Sequence, residues 1–306
     1  MIPLCAPENA KLPTALALGS FDGLHLGHKK VINAILKDPI GVPTVVSFWP
    51  HPREVLFGES RLRLDLPNEK TFLLEPLGIE QLVLVPFNKN LASKSAETFV
   101  EEVLAKTLHA KHIAVGENFR FGRNREGDTS TLEKIGASLG IKISIVPIVK
   151  DNHGRLSSSR VRKALNDGDL KHAKYLLKRP YTFRGTVEKG RGLGKKIGWP
   201  TANLKIDGRK FLPSLGVYAA WASIANKKER FLAVMNMGPQ PTIDPNSLSA
   251  VEVHLLDKEI NLLGHELIIE PVQRIRLQKK FENIDALSEQ ISLDAILAKE
   301  ILTKKL

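Results

Sequence analysis

Apolar positions divide the chain into two grammars. Over residues 1–180, short aliphatic runs alternate with segments whose apolar residues recur every three or four positions. Residues 14–19, 42–49, 81–87, 111–116 and 141–149 are compact apolar runs, several of them β-branched and bounded by Gly or Pro, which predicts buried strands. A helical stretch ends near Lys37, and residues 68–77 and 129–139 are also helical in pattern. Phe99, Val100, Val103, Leu104 and Leu108 share one face of a helix predicted over residues 95–108. Strand and helix in alternation predict a parallel α/β sheet with helices on both faces and a ligand site beyond the C-terminal strand ends.

From residue 181 the pattern changes. Strands are predicted at residues 181–188, 216–225, 230–237, 250–256 and 266–276, joined by Gly-, Pro- and Asn-rich turns. Val251, Val253 and Leu255 alternate with Glu252 and His254, as in a half-buried strand. Leu287, Ile291, Ile296, Leu297 and Ile301 mark one closing helix over residues 285–302. Short antiparallel strands with one helix predict a small β-barrel. The boundary falls near residues 178–180, giving domains 1–180 and 181–306, with no internal repeat.

Composition narrows the class. The 306 residues carry a formal charge of +12 and a single cysteine. Cys5 alone can form neither an internal disulfide nor a cysteine zinc cluster, which fits a reducing compartment. No apolar run approaches a membrane span, and the N-terminal residues lack a signal-peptide pattern, so cytoplasm is the expected location. The positive excess divides as +7 and +5 between the two halves and forms no tail or stripe, so no nucleic-acid partner is expected. Diffuse basicity suits anionic small molecules and plain solubility alike.

Chemistry concentrates at Gly19-Ser-Phe-Asp-Gly-Leu-His-Leu-Gly-His28, directly after the first strand. His25 and His28 are three residues apart and fall on one face of the helix beginning there. A helix N-terminus favours phosphate, and Gly19, Gly23 and Gly27 allow close backbone approach. Two imidazoles there can stabilise charge as it moves onto departing pyrophosphate. The blander readings are a glycine-rich turn with partly buried histidines, or a two-histidine metal site. A second feature, Leu156-Ser-Ser-Ser-Arg-Val-Arg162, opens a helix. Ser157, Ser158 and Ser159 can cap it, while Arg160 and Arg162 suit phosphate oxygens; a capped helix with exposed arginines is the alternative.

With Phe21 and Asp22 inside the first motif, residues 1–180 resemble the histidine-motif nucleotidyltransferases. Ser47-Phe-Trp-Pro-His-Pro52 and Val115-Gly-Glu-Asn-Phe-Arg-Phe-Gly122 narrow the resemblance to the FMN adenylyltransferase module of bacterial bifunctional riboflavin kinase/FAD synthetases. The resemblance implies that His25, His28, Ser159 and Arg162 handle ATP phosphates, and that Asn118 with His51 and Pro52 lies at the adenylylation site. Glu117 stands where Asp is usual, and Ser159 where Thr is usual.

Gly194-Lys-Lys-Ile-Gly-Trp-Pro-Thr-Ala-Asn203 resembles the Pro-Thr-Ala-Asn signature of riboflavin kinases, with Pro200 at its head. Thr201 and Asn203 then supply hard oxygen ligands for Mg²⁺ together with nucleotide phosphates. Glu252 is the carboxylate that takes the proton from the ribityl hydroxyl, unless it is simply an outward strand residue facing water. Residues 190–195 resemble a glycine-rich flap in which Gly194 and Lys195 approach ATP, with Lys195 where Arg is usual; the glycine spacing is not that of a P-loop. The expected activity is bifunctional: riboflavin and ATP give FMN, then FMN and ATP give FAD and pyrophosphate. Lys258 and Leu263 replace a usual Phe and Tyr, so a chain retaining only adenylyl transfer is the enzymatic alternative. A basic RNA-binding protein on a nucleotidyltransferase scaffold is the non-enzymatic one.

Overall fold

The computed structural model describes residues 1–37, 40–190, 194, 198–238 and 251–304. It divides into two compact units, Met1–Ser158 and Ser159–Leu306. Strands of the first unit are β1 (Leu4–Cys5), β2 (Thr14–Leu18), β3 (Val42–Trp49), β4 (Gln81–Pro86), β5 (Ala110–Gly116) and β6 (Lys142–Val146). They form one sheet in the order β1-β4-β3-β2-β5-β6, every pair parallel. Successive residues of a strand point to opposite faces, so Ala15 and Ala17 pack with Val31, Ile32 and Ile35 of α1 (Leu26–Leu36), while Leu16 and Leu18 join the cluster of Phe99, Val100 and Leu104. Both faces being covered, the central strands read as continuous apolar runs.

The remaining helices of this unit are α2 (Pro52–Phe57), α3 (Pro67–Leu74), α4 (Lys89–Ser93), α5 (Ala96–Thr98) and α6 (Thr129–Ser138). The helix expected over 68–77 ends earlier, because residues 75–77 tighten into a 3₁₀ turn closed by Gly78 at φ 84°. Beyond α5 the coil widens over Phe99–Thr107, where Leu108 N–H reaches Val103 O, an i→i−5 link. The strand expected over 141–149 stops at Val146, and a small hairpin follows, β7 (Lys150–Asp151) with β8 (Gly154–Arg155).

The second unit opens with α7 (Ser158–Asp167) and α8 (Leu170–Leu177). A closed barrel follows from β9 (Phe183–Glu188), β10 (Ala202–Lys205), β11 (Gly216–Ile224), β12 (Arg230–Met237), β13 (Val251–Leu255) and β14 (Glu266–Arg276). Its order is β10-β13-β12-β11-β14-β9, antiparallel throughout. The C-terminal helix α9 (Ile284–Thr303) lays Ala298 and Leu302 on Val217, Ala219 and Val234, covering the outer face there. Arg276 Nε and Nη2 clamp it through Asp294 at 2.8–3.0 Å. The α/β sheet and the helix-closed barrel match the architecture expected from sequence; the pattern left out β10 of the barrel, and in the first unit β1 and the β7–β8 hairpin.

Candidate functional site

The loop between β2 and α1 is tightly wound. Phe21 and Leu24 both sit at φ 45° and Gly23 at φ 89°. Non-glycine residues in the left-handed region cost about 1–3 kcal/mol each and persist only where the surroundings over-determine them. Here Lys70 Nζ and Ser47 Oγ both donate to Ser20 O, at 2.9 and 3.2 Å. The buried Asp22 carboxylate accepts the Leu64 and Asp65 N–H groups at 2.9 and 3.4 Å, and Ser158 Oγ donates to Asp22 O at 2.7 Å.

The loop delivers the histidines to α1. His25 is its N-cap, with Nδ1 accepting from His28 N–H at 3.4 Å, so the neutral imidazole carries its proton on Nε2. The two rings stack at 3.7 Å and 19°. Gly27 serves this stack: a Cβ there would lie 3.1 Å from His25 Cε1, so its small size makes room for the imidazole. Burial, reinforced by the cation of Arg155, lowers the His25 pKa to about 4. Burial drives His28 down further, with His25, Lys70 and Arg155 adding to it. Both rings are therefore neutral at pH 7, and His28 Nδ1 is buried without a hydrogen-bond partner among the described residues.

These residues line a cavity of about 750 Å³, together with the predicted Gly19, Phe21, Asp22, Gly27, His51, Pro52 and Asn118. His51 caps α2 through a reciprocal capping box: its Nδ1 accepts from Arg53 N–H at 3.1 Å, and its own N–H reaches Glu54 Oε2 at 2.7 Å. Burial and then Arg61 and Arg63 lower the His51 pKa to about 4. Asn118 Oδ1 accepts from Arg155 Nη2 and Nη1 at 3.0 and 3.2 Å, with the amide oriented to suit those bonds. The rest of the wall includes apolar groups: Phe48 meets Phe87 edge-on at 5.8 Å, Phe119 stacks on Phe121 at 5.5 Å, and Leu56 and Phe57 come from α2. One cavity thus joins neutral imidazoles, a helix N-terminus and guanidinium groups to a wall suited to a planar aromatic ligand.

Sequence reasoning missed Arg155, Arg63 and Lys70, all of which line this cavity. A cation directly before the serine-rich cap was the available signal for Arg155; Lys70 in a helical pattern offers none. Ser159, Arg160 and Arg162 fall on α7 in the second unit, where the Arg162 guanidinium lies over the Phe211 ring at 5.6 Å. The two-histidine metal reading is not supported, since the rings stack instead of converging and no metal-binding group of three or more His, Cys, Asp or Glu occurs among the described residues.

In the barrel, Asn203 of β10 pairs directly with Glu252 of β13 on one side and Glu188 of β9 on the other. Directly opposed residues of an antiparallel pair share a face at about 4.5–5.5 Å between Cβ atoms. Glu252 is half-buried on the outer face, beside Asn203 and Asn236. The preceding segment docks by His254 Nδ1 and Pro200 O at 2.7 Å, with Trp199 edge-on to His254 at 5.0 Å. A Cβ on Gly190 would fall 2.0 Å from Asn203 Nδ2, and one on Gly194 3.3 Å from Thr201 Oγ1, so glycine backbone closes on both predicted metal ligands. Lys195 lies outside the described residues. The donor set of Thr201, Asn203 and Glu252 is all hard oxygen, which suits Mg²⁺ shared with phosphate oxygens and water.

Comparison with known proteins agrees with both halves. The FAD synthetase family profile matches residues 8–160, and the riboflavin kinase profile matches residues 177–302. A bifunctional riboflavin kinase/FMN adenylyltransferase from Haemophilus influenzae is 35% identical over 295 residues, 93% of each chain. One from Bacillus subtilis is 34% identical over 300 residues, 95% of this chain and 92% of its own. A crystal structure described as a macrolide-efflux protein from Streptococcus pneumoniae superposes with a TM-score of 0.83 at 30% identity, over 96% of this chain and 97% of that one. No helix among the described residues is long and apolar enough to cross a membrane.

Proposed function

The chain belongs to the bifunctional riboflavin kinase/FMN adenylyltransferases, enzymes of flavin cofactor synthesis, and from that membership we propose how its residues divide the work. It phosphorylates riboflavin to FMN with ATP, then adenylylates FMN to FAD with a second ATP, releasing pyrophosphate. We assign adenylyl transfer to residues 1–180 and phosphorylation to residues 181–306, in the cytoplasm and with small molecules as the partners.

The observation that carries the first assignment is the single cavity that joins the histidine pair to the aromatic wall. The flavin ring lies against Phe48, Phe87, Phe119 and the α2 side chains, and its phosphate oxygen attacks the α-phosphorus of ATP. That P–O bond forms as the α–β anhydride bond breaks, so charge moves onto the leaving pyrophosphate. His25 Nε2–H and His28, aimed by α1, stabilise that charge as neutral donors, while Arg155 and Asn118 hold phosphate and flavin oxygens. The roles of Ser159, Arg160 and Arg162 at the ATP phosphates rest on their motif.

In the barrel, Glu252 takes the proton of the terminal ribityl hydroxyl as that oxygen attacks the γ-phosphorus of ATP, and ADP leaves. Thr201 and Asn203 would hold Mg²⁺, whose chemistry when bound is to neutralise charge on the transferring phosphoryl oxygens. Incubating the purified protein with ATP and Mg²⁺, in one reaction with riboflavin and in a parallel one with FMN, then separating products by chromatography, tests the reading. FMN and FAD together are expected. FMN alone, FAD from FMN alone, or neither product would remove one or both halves of the assignment; the middle result is the adenylyltransferase-only alternative raised by Lys258 and Leu263.

A further inference from the structure

Lys70 and Arg63 are the two buried cations among the described residues of the cavity wall, and the mechanism leaves both unused. Lys70 Nζ spends one of its three N–H donors on Ser20 O, and among the described residues makes no other hydrogen bond. Arg63 gives Nη2 to the Glu54 carboxylate and lays its guanidinium over the Trp49 ring at 5.2 Å. Its Nη1 is buried with no hydrogen-bond partner among the described residues. Two like charges held in one buried wall repel each other, and here burial leads that repulsion in lowering the proton affinity of Lys70. The carboxylates of Asp22 and Asp65 offset part of this, but Asp22 is already engaged by the Leu64 and Asp65 N–H groups. What remains on offer is a buried guanidinium nitrogen of Arg63 and the ammonium of Lys70, donors suited to an anionic ligand.

Position says which anion. Arg63 is anchored at the end of β3 and on α2. Lys70 bonds to the loop that leads to the histidines. The pair therefore touches both the elements that carry apolar lining residues and the loop that carries the histidines. Building on the adenylyl-transfer reading above, we propose that Lys70 and Arg63 seat the phosphate monoester of FMN and so select FMN over riboflavin. A phosphate monoester near neutral pH is close to a dianion and matches two cations. Riboflavin brings a neutral hydroxyl to the same place and leaves the spare donors of both cations without an anionic partner, and discrimination of that kind is large. Selection matters here because the same chain handles both flavins.

The test uses the full-length protein, with FMN and ATP varied separately. Lumiflavin, which has the ring but neither phosphate nor a phosphorylatable chain, serves as a competitive inhibitor against FMN. Lys70→Met should raise KM for FMN at least tenfold, while KM for ATP and Ki for lumiflavin stay within twofold. Lys70→Arg should restore KM for FMN to within threefold. Arg63→Gln should give the same split, and carries the test if Lys70→Met does not fold; thermal melts and the riboflavin kinase rate report folding. A rise in KM for ATP would assign the cations to the nucleotide. A joint rise in KM for FMN and Ki for lumiflavin would make them supports of pocket shape, and unchanged constants would leave them no role. Each of these overturns the proposal. A wild-type protein that makes no FAD from FMN would instead overturn the adenylyl-transfer reading on which it rests.

Discussion

Two neutral imidazoles stacked at 3.7 Å at a helix N-terminus are an unusual state for histidine, and their consequences are measurable. His25 has a folded pKa of about 4 against an ordinary 6.5. Between those values the unfolded chain binds the proton and the folded chain does not, so stability rises with pH across that window and falls as pH drops from 6.5 toward 4. The shift is worth about 3 kcal/mol for this one residue. Urea midpoints of the N-terminal unit should therefore fall steeply over that range. His25→Asn, which keeps a capping acceptor, should flatten the slope; an unchanged slope would mean that other groups set it. Gly27 separates stability from activity in the same place. Gly27→Ala should leave the thermal midpoint unchanged or slightly raised, because alanine favours a helix by about 1 kcal/mol. The added Cβ, 3.1 Å from His25 Cε1, displaces the ring, so kcat/KM for adenylylation should fall at least tenfold. A fully active Gly27→Ala protein would show that the stack tolerates the shift.

At the scale of elements, the second unit depends on α9 staying docked, and one buried contact dominates that docking. Asp294 is 3% exposed and receives Arg276 through two guanidinium nitrogens, with Gln290 Nε2 at 3.0 Å as a further donor. Removing one partner of a buried pair strands the other charge and typically costs 3–5 kcal/mol. Asp294→Ala should thus lower the melting temperature of the barrel and abolish kinase activity at temperatures where adenylyl transfer persists, as assays of both activities along a temperature series would reveal. What sequence made legible follows the same scale. The central strands β2 and β3 are readable because burial on both faces leaves apolar runs that little else produces. β10 escapes because its four residues follow a Pro and carry only one buried side chain, Leu204. The widened coil of Phe99–Thr107 passes for an ordinary helix because its nine residues make only about two turns, and Phe99, Val100, Val103 and Leu104 fit the α-helical spacing of about 3.6 residues. The histidine turn is legible as a motif, yet Lys70 is not: its burial is decided by Ser20, 50 residues earlier in the chain, which no local pattern encodes.

For the whole molecule, the division into two units that each have a core of their own implies that the two chemistries can be disabled one at a time. His28→Ala removes a neutral donor from the N-terminal cavity and should abolish FAD formation from supplied FMN while riboflavin phosphorylation stays near wild type. Glu252→Gln keeps the shape of the β10–β13 row but removes the carboxylate proposed as the base, and should do the reverse. Neither protein alone should convert riboflavin to FAD. An equimolar mixture should, because the first variant releases FMN that the second adenylylates. The product curve should show a lag while FMN accumulates, and added FMN should abolish the lag. If Glu252→Gln also fails with supplied FMN, the separation of roles between the halves is wrong. If each variant keeps its own step and the mixture still makes no FAD, FMN does not leave the chain that forms it. Transfer would then be confined to a single molecule, and the selectivity assigned to Lys70 and Arg63 would operate on FMN delivered within that molecule.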